Sequence, residues 1–76
     1  MNRIDLKLFV TLAKYLPSDS DALALEDGTT VESLIDGLGI PKKEVKLIFV
    51  NGKKESLEYP VKDGDRVGLF PPVGGG

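Results

Sequence analysis

Seventy-six residues make a single domain with a thin core, since a chain of this size buries only about 60% of its unfolded surface. Apolar residues make up 41% of it, which excludes intrinsic disorder, and the absence of cysteine and histidine excludes a disulfide framework, thiol catalysis and nearly every zinc or iron site. Ten basic residues against twelve acidic ones give a net charge of −2. No basic run exceeds Lys42-Lys43 or Lys53-Lys54, so no nucleic-acid partner is expected.

Arg3 to Val10 alternates, with Ile4, Leu6, Leu8 and Val10 on one face and Arg3, Asp5, Lys7 and Phe9 on the other, which predicts a half-buried strand. This early charge and alternation argue against a signal peptide. Leu12 and Leu16 are expected to pack as the chain leaves the strand, and Pro17-Ser18-Asp19 marks a turn. Ala22 to Glu26 is a short second strand with a weak signal, closed by Asp27-Gly28.

A helix then starts at Thr29 or Thr30, and Thr29 with Glu32 fits a capping box. Val31, Leu34, Ile35 and Leu38 form one apolar stripe, Gly39 suits the left-handed C-terminal position, and Pro41 blocks continuation. Val45 to Val50 is a strand, and Asn51-Gly52 predicts a tight type I′ hairpin returning through Lys53 to Ser56. Pro60 to Gly64 turns, and Arg66 to Phe70 is the last strand, stopped by Pro71 and Pro72. The longest unbroken apolar run, Leu47 to Val50, cannot span a membrane, and the cytoplasm is the expected location. One helix stripe and one sheet face can cover each other, giving a two-layer α+β domain over residues 1–70, with 71–76 as a tail.

That tail, Pro71-Pro72-Val73-Gly74-Gly75-Gly76, carries the functional signal. Three final glycines occur by chance about once in 3,000 chains at roughly 7% glycine usage. Without side chains, glycines can thread a channel too narrow for other residues. The last carbonyl is sterically bare, and the two prolines favour a stiff, extended exit. Gly76 is therefore the candidate reactive residue, through its terminal carboxylate, on a flexible tip.

The ending Asp63-Gly64-Asp65-Arg66-Val67 followed by Phe70-Pro71-Pro72-Val73-Gly74-Gly75-Gly76 resembles the MoaD branch of the MoaD/ThiS family. Ile4-Asp5-Leu6-Lys7-Leu8-Phe9 and Thr30-Val31-Glu32-Ser33-Leu34 resemble it as well, so the likeness covers nearly the whole chain. It implies a ubiquitin-like β-grasp fold: a mixed sheet of four to five strands on one main helix, with the first and last strands adjacent and parallel. It also implies a carrier rather than an enzyme, with no bound cofactor or metal.

In the chemistry so implied, an E1-like adenylating enzyme of the MoeB/ThiF type uses ATP to form an acyl-adenylate on Gly76. Sulfur then replaces the adenylate as a thiocarboxylate. A MoaE-like large subunit next takes the sulfur for molybdopterin, as in molybdopterin synthase. Transfer to tRNA, thiamine or a tungsten-type cofactor is an alternative, as is ubiquitin-like modification of target-protein lysines. A third reading is a plain interaction domain with an idle tail. In a β-grasp fold, Phe9, Ile48, Val50 and Phe70 would form one apolar patch on the open sheet face, beside the unobstructing Gly68, for a partner to grip.

Overall fold

The structure is a computed structural model, described here for residues 1–72. Five strands form one mixed sheet: β1 (Asn2–Leu8), β2 (Leu23–Leu25), β3 (Leu47–Val50), β4 (Lys53–Lys54) and β5 (Arg66–Phe70), in the order β2-β1-β5-β3-β4. β1 and β5 are parallel neighbours at the centre, with Leu6 opposite Val67 and Leu8 opposite Leu69. The other pairings are antiparallel. One helix, α1 (Val31–Gly37), covers one face, as the β-grasp expectation requires.

The period of two in β1 buries Ile4, Leu6 and Leu8, and β5 adds Val67 and Leu69 to the same face. From α1 come Val31, Leu34 and Ile35, and the connecting segments contribute Leu12, Ile40 and Val61. Every fully buried hydrophobic residue is aliphatic, and Tyr15 and Tyr59 pack only at the margin.

Helix α1 begins at Thr30, whose Oγ1 accepts a hydrogen bond from the Ser33 backbone N–H at 3.2 Å. The expected box between Thr29 and Glu32 does not form, because the Thr29 hydroxyl donates to the Glu26 carbonyl at 2.7 Å and Glu32 turns to Lys42. Two further orphan donors at this helix end are satisfied by the loop before β5: Val31 N–H donates to the Tyr59 carbonyl and Glu32 N–H to that of Leu57. At the other end Gly39, with φ +77°, closes a Schellman motif in which Ile40 N–H reaches the Ile35 carbonyl and Gly39 N–H that of Asp36.

Asn51 and Gly52 both have positive φ, as the type I′ turn demands, but β4 is only two residues long. β1 stops at Leu8 rather than Val10. Phe9 N–H bonds the Leu69 carbonyl, and Val10 then turns to φ +57° and stands 76% exposed at the start of a 3₁₀ turn, Val10–Tyr15. That turn buries Leu12 and leaves Leu16 exposed.

Candidate functional site

Among the described residues no element covers the sheet face away from α1, and it carries all three phenylalanines of the chain. Phe9 comes from the end of β1, Phe70 from the end of β5, and Phe49 from β3. Phe9 and Phe70 stack face to face, with centroids 4.3 Å apart and planes 6° from parallel. Phe49 meets Phe70 edge-on at 5.6 Å. Phe9 remains 39% exposed.

Gly68 makes this packing possible. A Cβ built there would come within 3.3 Å of Phe9 Cε2 and 3.8 Å of Phe70 Cε1, so the bare backbone is what the rings lie over. Around them Asp5, Lys7, Gly52, Arg66 and Val67 complete a shallow groove of about 480 Å³. Lys7 and Arg66 border it as exposed cations. Asp5 Oδ1 has no hydrogen-bond partner among the described residues, and its nearest counter-charge is the Lys7 ammonium at 3.7 Å. An aromatic floor with a charged rim can take up an apolar element of a partner and fix its orientation by charge.

Of the residues expected in the patch, Phe9, Gly68 and Phe70 lie together on this face. Ile48 and Val50 do not: they are 7% and 2% exposed and face α1. The register explains the inversion. Ile48 pairs with Leu69 and Val50 with Val67, both inward, while Phe49 pairs with Gly68 and Leu47 with Phe70, both outward. Phe49 was thus missed as a patch residue, although its place in a strand next to β5 was the available signal.

Pro71 is buried and Pro72 is exposed. The rest of the expected tail, Val73, Gly74, Gly75 and Gly76, lies outside the described residues. Lys46 N–H donates to the Phe70 carbonyl at 2.8 Å, which ties the last described strand to β3 where the chain leaves the sheet.

The turn aspartates are structural. Asp63 Oδ1 accepts from the Arg3 backbone N–H at 2.8 Å. Asp65, only 7% exposed, accepts from Lys62 N–H and the Tyr59 hydroxyl at Oδ2 and from Asn51 Nδ2 at Oδ1. Burial pushes its carboxyl up, but those three donors and the Lys62 charge together hold it below its ordinary value. Among the described residues no group of His, Cys, Asp or Glu could hold a metal ion, and no helix is long and apolar enough to cross a membrane.

Comparison with known proteins agrees with this architecture. The family model described as Mut7-C ubiquitin matches residues 1–74. The molybdopterin synthase sulfur carrier subunit of Escherichia coli is 37% identical over 67 residues, 86% of this chain and 63% of that protein, so the match spans under two thirds of the relative's length. A Pyrococcus furiosus structure bearing the name molybdopterin converting factor, subunit 1, superposes with a TM-score of 0.73 at 28% identity, covering 96% of this chain and all of that one. SAMP1 of Haloferax volcanii does so with a TM-score of 0.71 at 26% identity, covering 99% of this chain and all of that one. The chain belongs to the Mut7-C ubiquitin family, and its fold is that of a ubiquitin-like β-grasp domain.

Proposed function

We propose that this protein is a ubiquitin-like sulfur carrier whose Gly76 carboxylate is charged by a partner enzyme. The observation that carries this reading is the position of the three phenylalanines. None is in the core, and they surround the point where the strand preceding the glycines ends. The similarity to the E. coli sulfur carrier subunit and to the P. furiosus molybdopterin converting factor subunit supports the same reading.

In the proposed cycle a Gly76 carboxylate oxygen attacks the α-phosphorus of ATP in an E1-like enzyme, and pyrophosphate leaves. Hydrosulfide adds to the acyl carbon and AMP leaves, giving a thiocarboxylate. The thiocarboxylate sulfur attacks a carbon of the molybdopterin precursor held by a MoaE-like subunit and displaces an oxygen leaving group; water then cleaves the acyl–sulfur bond, which restores the Gly76 carboxylate and leaves the sulfur on the acceptor. The chain's own part is to present the terminus: the aromatic face docks, Pro71 and Pro72 direct the exit, and Gly74 to Gly76 enter the partner. ATP and sulfur are handled by the partners, with no cofactor resident on the carrier.

Incubation with an E1-like enzyme, ATP and sulfide, followed by intact mass measurement, should show the exchange of one oxygen for sulfur. An unchanged mass rejects the carrier reading. The likeness to SAMP1, the small archaeal modifier protein 1, supports a second reading, in which a target lysine amine attacks the same activated carbonyl. A ladder of conjugates on a lysate blot of the tagged chain would favour that route, and its absence would favour the carrier.

A further inference from the structure

The two edges of the sheet are built differently. β4 is two residues long and carries Lys53 and Lys54, a common protection against pairing with another chain. β2, Leu23-Ala24-Leu25, pairs among the described residues only with β1 and bears neither lysine nor proline. Beside it runs a second groove of about 370 Å³, between this edge and α1, lined by Leu23, Leu25, Glu26, Ser33, Leu34 and Leu38 among others. Leu23, Leu25 and Leu38 are only half-buried. Gly37, also at the groove, leaves it open, with nothing within 4 Å of where a Cβ would stand.

The charged side chains that flank β2 in the chain are acidic. Between Tyr15 and Pro41 the chain holds Asp19, Asp21, Glu26, Asp27, Glu32 and Asp36, and no lysine or arginine; the remainder holds six acidic and ten basic residues. Asp27 is paired with the N-terminal ammonium and Glu32 with Lys42, whose own charge is held on by Glu32 and Asp36. Asp19, Asp21 and Glu26, the carboxylates flanking β2, form no ion pair among the described residues.

We propose that the β2 edge and its groove bind an extended peptide of a partner protein, with alternating apolar residues flanked by lysine or arginine. The peptide adds a strand to β2 through backbone hydrogen bonds, every second side chain enters the groove over Leu23, Leu25 and Leu38, and the basic flanks meet Asp19, Asp21 and Glu26. The same carboxylates repel a second copy of this chain at that edge, as well as nucleic acid and anionic lipid. The site shares no lining residue with the groove at the aromatic face.

The test is an NMR titration of the ¹⁵N-labelled full chain with two synthetic peptides that share a Val-Thr-Val-Thr-Val core, one flanked by paired lysines and one by paired glutamates. Shifts confined to residues 19–26 and 33–38, with the lysine-flanked peptide alone, support the proposal. Asp21→Lys with Glu26→Lys, both at exposed positions, should then weaken that binding roughly tenfold, with the remaining spectrum unchanged. Deleting Gly75-Gly76 should leave it intact, which separates this site from the carrier reading. Equal binding of both peptides, shifts at the aromatic face, no shifts, or concentration-dependent shifts at β2 without peptide would each overturn it.

Discussion

Replacing Asp65 by asparagine tests how the turn before β5 is held. The carboxylate receives three donors: Lys62 N–H at 2.8 Å and the Tyr59 hydroxyl at 3.1 Å on one oxygen, and Asn51 Nδ2 at 2.9 Å on the other. An amide offers one accepting oxygen, so its NH₂ must oppose the NH₂ of Asn51. Asn51 cannot turn to accommodate it, because its Oδ1 already accepts from Arg66 N–H at 2.9 Å. A lost charge-assisted bond and a part-buried unmatched donor pair together cost about 2–3 kcal/mol, against a total of roughly 4–11 kcal/mol for a domain of this length. Urea unfolding followed by circular dichroism measures the difference.

The same carboxyl sets an acid limb. Its folded pKa lies below the unfolded value, so the folded state binds the proton less tightly than the unfolded chain does. Its stabilisation is therefore complete above the unfolded pKa of about 3.9 and is lost as pH falls through the lower folded value. Asp65→Asn should flatten that part of the stability profile. A variant within about 0.5 kcal/mol of the parent, or one that keeps the parent's acid limb, would refute the reasoning.

Two further outcomes follow from the aromatic face and its border. Phe9→Ala removes the stacked ring and should cost about 1 kcal/mol of stability but raise the carrier concentration needed for half-maximal adenylation by roughly tenfold or more, read from pyrophosphate release; an unchanged value would show that this face does not dock. Val10→Gly relieves a left-handed β-branched residue that buries little, and should raise stability by roughly 0.5–1 kcal/mol in the same urea assay.

Sequence periodicity resolved the elements whose faces are marked by polar residues. β1 alternates with charges and α1 has one stripe between a threonine cap and Gly39, so both elements and their buried faces are found as expected, although β1 ends two residues early at Leu8. β3 is different. Leu47-Ile48-Phe49-Val50 has no polar residue to mark an outer face, and both choices satisfy a period of two. The choice was made by pairing with Val67 and Leu69 and by room over Gly68 for the outward rings, which are long-range terms. Asp65 directly follows the turn expected over Pro60 to Gly64, but its three donors come from residues 51, 59 and 62 and converge only when the loop folds back. The second groove was hidden for a similar reason: the acidic bias of residues 16–41 is visible along the chain, but its meeting with an unguarded edge needs the strand order.

That strand order also accounts for the position of the aromatic face. Because β1 and β5 run parallel, their C-terminal ends coincide, and Phe9 and Phe70 reach the same end of the sheet despite sixty intervening residues. An antiparallel pairing would have put Phe9 at the opposite end from the exit of Pro71 and Pro72. Leaving three phenylalanines outside an aliphatic core sacrifices burial free energy of about 1.5–3 kcal/mol for each ring were it fully buried. Stacking Phe9 on Phe70 recovers part of that in the free protein while one side of the patch stays open. A partner covering the rings gains the remainder as binding energy, and it does so at the point where the chain departs toward Gly76.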